Sequence, residues 1–322
     1  MKHRICGNYT KRIYREVKDV LSHTDLPIAL VGPTGVAKTL IMMRALDWYS
    51  RTYGVPAYYL QMSPDVSRTT LVGGYRLVNG SLVPVKGVIM RAMESGGIVG
   101  LDEFTHASPE DQASVNSALS GAIRVVSIGE LEVKAKPTTR FILAHNPVTY
   151  GANFPMPLAL RRRLYVIEVG FPPLEEEVKI ARYLCKRRGY SPPRSVVQFL
   201  CSVAAEARTD EAPICAANVA AALQVLMVEY ERVEKVGREE FRDTFQRTVT
   251  ENDEAILKGV YRRIHQRDPV SVGEVFEDDD LVDFFRFIYA VGKERFTQVV
   301  LSSWMGHYLP KPVREKIIAM IP

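Results

Sequence analysis

Ile28-Ala29-Leu30-Val31, then Gly32-Pro33-Thr34-Gly35-Val36-Ala37-Lys38-Thr39, then Leu40-Ile41-Met42-Met43-Arg44 is the stretch that decides the fold. It reads as an apolar strand, a glycine-bearing loop and the start of a helix, the order that a phosphate-binding P-loop requires. Backbone N–H groups of such a loop face an anion at the positive end of the helix. Lys38 would then reach the β- and γ-phosphates of a nucleotide, and the Thr39 hydroxyl would reach Mg²⁺. The loop departs from the general pattern at one place, because Ala37 stands where the last glycine would be.

The gross properties fit a soluble enzyme. A chain of 322 residues is long enough for one sizeable core and a smaller module. No apolar stretch approaches the length of a membrane span, and Met1-Lys2-His3-Arg4 is not followed by an apolar signal core. The four cysteines, Cys6, Cys185, Cys201 and Cys215, lack paired metal spacing and read as reduced thiols of a cytoplasmic protein. A net charge of +5 permits contact with nucleic acid without arguing for it.

Working outward, further strand signals occur at Ala57–Met62, Ile98–Leu101, Phe141–Ala144 and Tyr165–Val169. With Ile28–Val31 they make five short strands separated by helical or hairpin segments. That alternation predicts an α/β fold with a parallel sheet and helices on both faces. Strand signals stop at Phe171-Pro172-Pro173, so the first domain is expected to span residues 1–172.

Three later elements carry chemistry. The apolar run Ile98–Leu101 ends in adjacent carboxylates, Asp102 and Glu103. Behind a P-loop, Asp102 is expected to hold the metal through water and Glu103 to act as general base on the attacking water. Asn146 ends the next strand, and its amide both donates and accepts, which suits orienting that water. An Asn-Pro turn is the plainer use of Asn146-Pro147. Arg161-Arg162-Arg163 precedes the last strand. A solvated charge run is the plain reading; the sharper one is an arginine finger reaching a neighbour's nucleotide, which requires a closed ring.

In their order, these residues resemble the AAA+ ATPases, and within them the MoxR-type group with its CbbQ, NorQ and gas-vesicle-associated relatives. The resemblance covers roughly residues 20 to 230, and alanine before the P-loop lysine is common in that group. Two inserted hairpins sharpen it. One is Tyr75–Val83 around Asn79-Gly80, after a Gly-rich lead-in at Leu71–Tyr75; the other is Ile123–Val133, ahead of the Asn146 strand. The resemblance implies a five-stranded parallel P-loop NTPase core with inserted β-hairpins, followed by an all-α lid at 173–233. It ends near Glu234, leaving 234–322 as a helical C-terminal extension of unknown role.

Leu174–Gly189, Pro193–Arg208 and Pro213–Val233 read as the lid helices. The family's third lid helix opens with an arginine that senses the γ-phosphate. Here that region reads Ile214-Cys215-Ala216-Ala217-Asn218-Val219, so Arg194, Asn218 or a neighbour's arginines would have to substitute. The resemblance implies a cytoplasmic Mg²⁺-dependent ATPase that works as a homo-oligomeric ring, expected to be a hexamer. Its task would be remodelling a protein partner, often one carrying a von Willebrand factor A domain. The implied nucleotide contacts are Gly32, Pro33, Thr34, Gly35, Val36, Ala37, Lys38 and Thr39 with Asp102 and Arg194. Two rival readings are a nucleic-acid-directed motor and a nucleotide-dependent scaffold with little hydrolysis.

Overall fold

The computed structural model describes residues 7–120, 124–147, 154–233, 236–248, 253–304 and 309–322. The chain divides into two compact units, Met1–Phe171 and Pro172–Pro322.

The first unit is an α/β P-loop fold. Its strands are β1 (Ile28–Val31), β2 (Ala57–Gln61), β3 (Gly73–Val78), β4 (Ser81–Lys86), β5 (Ile98–Asp102), β6 (Val125–Ile128), β7 (Leu131–Lys134), β8 (Arg140–His145) and β9 (Tyr165–Glu168). Five of them form one sheet in the order β2-β5-β8-β1-β9, every pair parallel. The central strands β1, β5 and β8 are nearly continuous apolar runs because helices cover both their faces. The edge strand β9 exposes Tyr165 and Val166.

Alternation along the strands sorts the core into two layers. Ile98, Ile142 and Ala144 pack with Ile28 and Leu30 beneath α1 (Asn8–His23) and α2 (Lys38–Tyr53). Val99, Leu101, Phe141 and Leu143 point the other way, to α4 (Val88–Ser95), which follows the one-turn α3 (Arg68–Leu71). In α1, Ile13, Val17, Val20 and Leu21 recur at helical spacing and form its buried stripe. The short α5 (Pro109–Ser114) and α6 (Leu158–Arg161) complete the unit.

Both expected hairpins form. β3 and β4 pair antiparallel with Val78 opposite Ser81, leaving Asn79 and Gly80 as the turn. Both turn residues have positive φ, 49° and 80°, which a twisted two-residue hairpin demands and Asn-Gly tolerates best. The second hairpin, β6–β7, begins later than expected. Arg124 precedes the strand, is buried, and donates to the Thr139 carbonyl while pairing with the Asp25 carboxylate at 3.1 Å. Ile123 lies outside the described residues. The hairpins touch: a Cβ on Gly129 would lie 1.8 Å from the Tyr75 hydroxyl.

The second unit is all helical: α7 (Leu174–Arg187), α8 (Arg194–Ala207), α9 (Ala216–Arg232), α10 (Arg238–Thr248), α11 (Glu254–His265), α12 (Val272–Glu277), α13 (Asp279–Val291), α14 (Lys293–Ser303) and α15 (Lys311–Met320). Helix α8 is buried along most of its length, so it is the central element rather than a surface helix. Residues from Val178 to Ile321 share one apolar core, to which helices on both sides of residue 233 contribute. Asp278 caps α13 by accepting from the Leu281 N–H at 2.8 Å. Behind that cap Leu281, Val282, Phe284, Phe287 and Ile288 turn inward. Among the described residues no helix is long and apolar enough to cross a membrane. Cys185, Cys201 and Cys215 are buried and free, and Cys6 lies outside the described residues.

The most buried ion pair among the described residues of this unit joins Arg208 to Glu177. Arg208 donates to both oxygens of Glu177 at 2.8 and 3.0 Å, with the Glu177 side chain only 3% exposed. Burial pushes the Glu177 carboxyl above its ordinary value, and Arg208 offsets this only in part. Arg208→Met would strand a carboxylate in the core, at a cost of about 3–5 kcal/mol. Urea denaturation should show that loss, and adding Glu177→Leu should recover most of it; a single variant as stable as the native chain would refute the account.

Candidate functional site

Parallel register brings the chemistry together. Val31 is level with His145, and Leu101 with Leu143, so β1, β5 and β8 end side by side. The P-loop, Asp102-Glu103 and Asn146 leave the sheet at those three adjacent ends.

The loop geometry explains its residues. A Cβ at Gly32 would lie 1.9 Å from the Val169 carbonyl oxygen, so no other residue fits there. Gly35 has φ 85°. Ala37 has φ 71° and ψ 23°, the left-handed conformation that the absent glycine would adopt freely. Helix α2 starts directly at Lys38, so its first amides face the loop.

Lys38 is buried and fully engaged. Its ammonium donates to the carbonyls of Gly32 at 2.8 Å and Pro33 at 2.7 Å, and to Asn146 Oδ1 at 2.8 Å. Burial lowers its pKa, while the nearby carboxylates of Glu103 and Asp102 pull it back up. Asn146 Nδ2 in turn approaches Glu103 Oε2 at 3.4 Å, so one amide bridges the cation and the candidate base. Glu103 itself sits at φ 51° and ψ 40°, a conformation that costs a non-glycine residue roughly 1–3 kcal/mol. His106 Nε2 stands 3.8 Å from the same Glu103 oxygen.

Asp102 faces Thr39, whose hydroxyl donates to Oδ2 at 2.8 Å, while Oδ1 accepts the Glu103 N–H at 3.1 Å. Among the described residues no group of three or more His, Cys, Asp or Glu could hold a metal by itself. The pair offers a hydroxyl and a carboxylate, oxygen donors that suit Mg²⁺ completed by substrate phosphates. Beside them an open groove of about 840 Å³ is lined by Thr34, Gly35, Lys38, Thr39, Met43 and Glu103.

Tyr59 is a site residue the sequence did not single out. Its hydroxyl donates to Asp102 Oδ2 at 3.1 Å, sharing that oxygen with Thr39. Burial first, then the charge and hydrogen bond of Asp102, push the phenol up to about 12, so it stays a donor. Only the pairing of Gln61 with Asp102 shows that Tyr59 shares the carboxylate's face.

The remaining expected residues lie on other elements. Arg161–Arg163 precede β9, whose first residue Tyr165 is level with Ile28 at the start of β1, whereas the P-loop follows that strand's other end. Arg161 Nε donates to the Met156 carbonyl at 2.9 Å. Arg163 is tied to Asn116 through its carbonyl at 3.2 Å and its Oδ1 at 2.8 Å. Arg162 is exposed, its backbone N–H donates to the Leu158 carbonyl at 3.2 Å, and its side chain bonds to no described residue. Arg194 opens α8 in the second unit. Asn218 Oδ1 accepts the Cys215 N–H at 3.0 Å and caps α9, so that oxygen is already committed to the fold.

Residues 27–164 match the family model of an AAA domain of the dynein-related subfamily. The protein NorQ of Paracoccus denitrificans is 31% identical over 167 residues, 51% of this chain and 60% of that protein. The denitrification regulatory protein NirQ of Stutzerimonas stutzeri is 29% identical over 158 residues, 48% of this chain and 55% of that one. The similarity therefore spans well under two thirds of these relatives' length. The crystal structure of NtrX from Brucella abortus superposes with TM-score 0.51 at 16% identity, covering 99% of this chain and 69% of that one, a likeness of fold.

The left-handed Ala37 gives a direct test of the loop. Ala37→Gly should raise the stability of the first unit by about 0.5–1 kcal/mol, since relieved strain exceeds the added unfolded-state freedom. Denaturation monitored on that unit measures it, and a loss of stability would place the strain elsewhere.

Proposed function

From the premise that residues 27–164 form an AAA domain of the dynein-related subfamily, we propose that the chain is a Mg²⁺-dependent ATPase of the MoxR type. It would act in a homo-oligomeric ring, expected to be a hexamer, to remodel a protein partner. One observation carries this reading: Asn146 joins Lys38 to Glu103 at the ends of adjacent strands, beside the Thr39–Asp102 pair.

The residues take distinct parts in in-line attack of water on the γ-phosphate. The loop amides and Lys38 hold the phosphates, and Lys38 exchanges the Gly32 and Pro33 carbonyls for phosphate oxygens. Thr39 and Asp102 are the residues that would hold Mg²⁺, whose positive charge would offset the negative charge of the phosphates. Glu103 accepts the proton of the attacking water, and Asn146 orients that water between Glu103 and the phosphate. Tyr59 and Thr39 keep Asp102 in place.

Arg161 and Arg162 are the better candidates for a finger acting on the adjacent subunit, because Arg163 is spent on Asn116. A partner carrying a von Willebrand factor A domain follows from the resemblance alone. The nucleic-acid reading finds little support, since Lys86, one of few cations on the first hairpin, is paired with Glu94. Glu103 and Asn146, in contact across the site, count against a scaffold that does not hydrolyse.

Glu103→Gln is expected to bind ATP while its turnover falls at least about hundredfold, as loss of a general base does. Steady-state hydrolysis alongside equilibrium ATP binding decides it, and normal turnover would remove Glu103 from the mechanism. Mixing tests the ring: Arg162→Ala or Arg161→Ala combined with Lys38→Ala should regain part of the activity each lacks alone. Absence of rescue with either arginine would mean that no finger acts in trans from this segment.

A further inference from the structure

Within the second unit, a cavity of about 500 Å³ opens between α7, α8 and α11. Lys179 and Arg182 line it from α7, and Arg194 lines it from the first position of α8. All three are exposed, and their charged side chains make no hydrogen bond or ion pair with any described residue.

The end of α8 at this cavity is open. Its N-cap is Pro193, which offers no side-chain cap, and Val197 is the first amide to find a backbone acceptor, Pro193 O at 3.3 Å. The amides of Arg194, Ser195 and Val196 are therefore without backbone acceptors at the positive end of a 14-residue helix. A second observation is independent of the helix end. Ser195 lines the same cavity, is 1% exposed, and its buried hydroxyl has no hydrogen-bond partner. A buried hydroxyl without a partner costs roughly 1–3 kcal/mol, a cost that an acceptor brought by a ligand would relieve. Two carboxylates, Glu175 and Asp280, also line the walls, and they would repel a bare polyanion. They suit a ligand whose phosphate is attached to a body with hydroxyl groups. The volume agrees, being larger than one phosphate needs and within the usual range for small-molecule sites.

We propose that this cavity, lined by the second unit, binds a phosphorylated polyol or sugar. The phosphate lies on the N-terminal amides of α8 between Lys179, Arg182 and Arg194, and Ser195 donates to it. Glu175 and Asp280 accept from the hydroxyls of the body. The site uses residues of the second unit only, so it stands whether or not the P-loop reading does.

Isothermal titration of the full chain with ribose 5-phosphate and with inorganic phosphate tests this. It is run in two backgrounds, Lys38→Ala and the native chain saturated with ATP, so that neither depends on the other's folding. One saturable equivalent of ribose 5-phosphate is expected in both, bound more tightly than inorganic phosphate. Arg194→Ala and Lys179→Ala should each weaken it about tenfold, with Arg194→Lys recovering part. Ser195→Ala should weaken binding yet raise the melting temperature of the free protein, because the stranded hydroxyl is gone. No saturable binding in either background, or equal affinity across the variants, overturns the site. Inorganic phosphate binding as tightly as ribose 5-phosphate overturns the assignment of a hydroxyl-bearing ligand.

Discussion

Parallel pairing of β1, β5 and β8 is the constraint on which the rest of the first unit depends. Because neighbouring strands run the same way with their ends level, whatever follows each strand must emerge at one edge of the sheet. The P-loop, the Asp102-Glu103 pair and Asn146 are more than 100 residues apart at their extremes, as the Lys38–Asn146 bond shows, yet each begins at or directly after a strand end. A register slip of one residue would exchange the two buried faces, each fitted to its own layer, as well as separate these groups. The apolar alternation that builds the two core layers is thus the same feature that aligns the site.

At that edge three protein acceptors hold Lys38. Two carbonyls and one amide oxygen satisfy its three donors, which lets a lysine remain buried at the end of a sheet. Asn146 ties this arrangement to Glu103, so a phosphate that draws Lys38 away also frees an acceptor on the residue beside the candidate base. Asp102 is held independently by Thr39 and Tyr59. Rearrangement at the lysine need not disturb the carboxylate proposed for the metal.

The features legible in the sequence were those set by local pattern. Apolar runs marked all five sheet strands, and Asn79-Gly80 marked its hairpin. In each the signal and its cause lie within a few residues. What stayed hidden depends on pairing across the fold. Tyr59 reads as one aromatic in a strand until its neighbour is known to be β5, which puts its hydroxyl on Asp102. Asn218 looked available for sensing a phosphate, but its oxygen closes the cap of its own helix. Three identical arginines in a row could not be ranked until Asn116 was seen to occupy Arg163.

Backbone strain marks the same edge of the sheet. Among the described residues four non-glycine residues have positive φ, and two of them, Ala37 and Glu103, flank the groove beside Lys38. Asn79 serves a hairpin turn and Gln266 a helix end, where a left-handed residue closes local hydrogen bonds. Ala37 and Glu103 have no such local excuse. Ala37 brings the loop back onto the first turn of α2, and Glu103 turns its carboxylate from the strand end toward Asn146. A relaxed backbone at Glu103 would carry the side chain onward with the strand and away from the amide that links it to Lys38. The strain is held in place by the buried strands on either side, and its direction is the one that places a carboxylate beside a phosphate-binding loop.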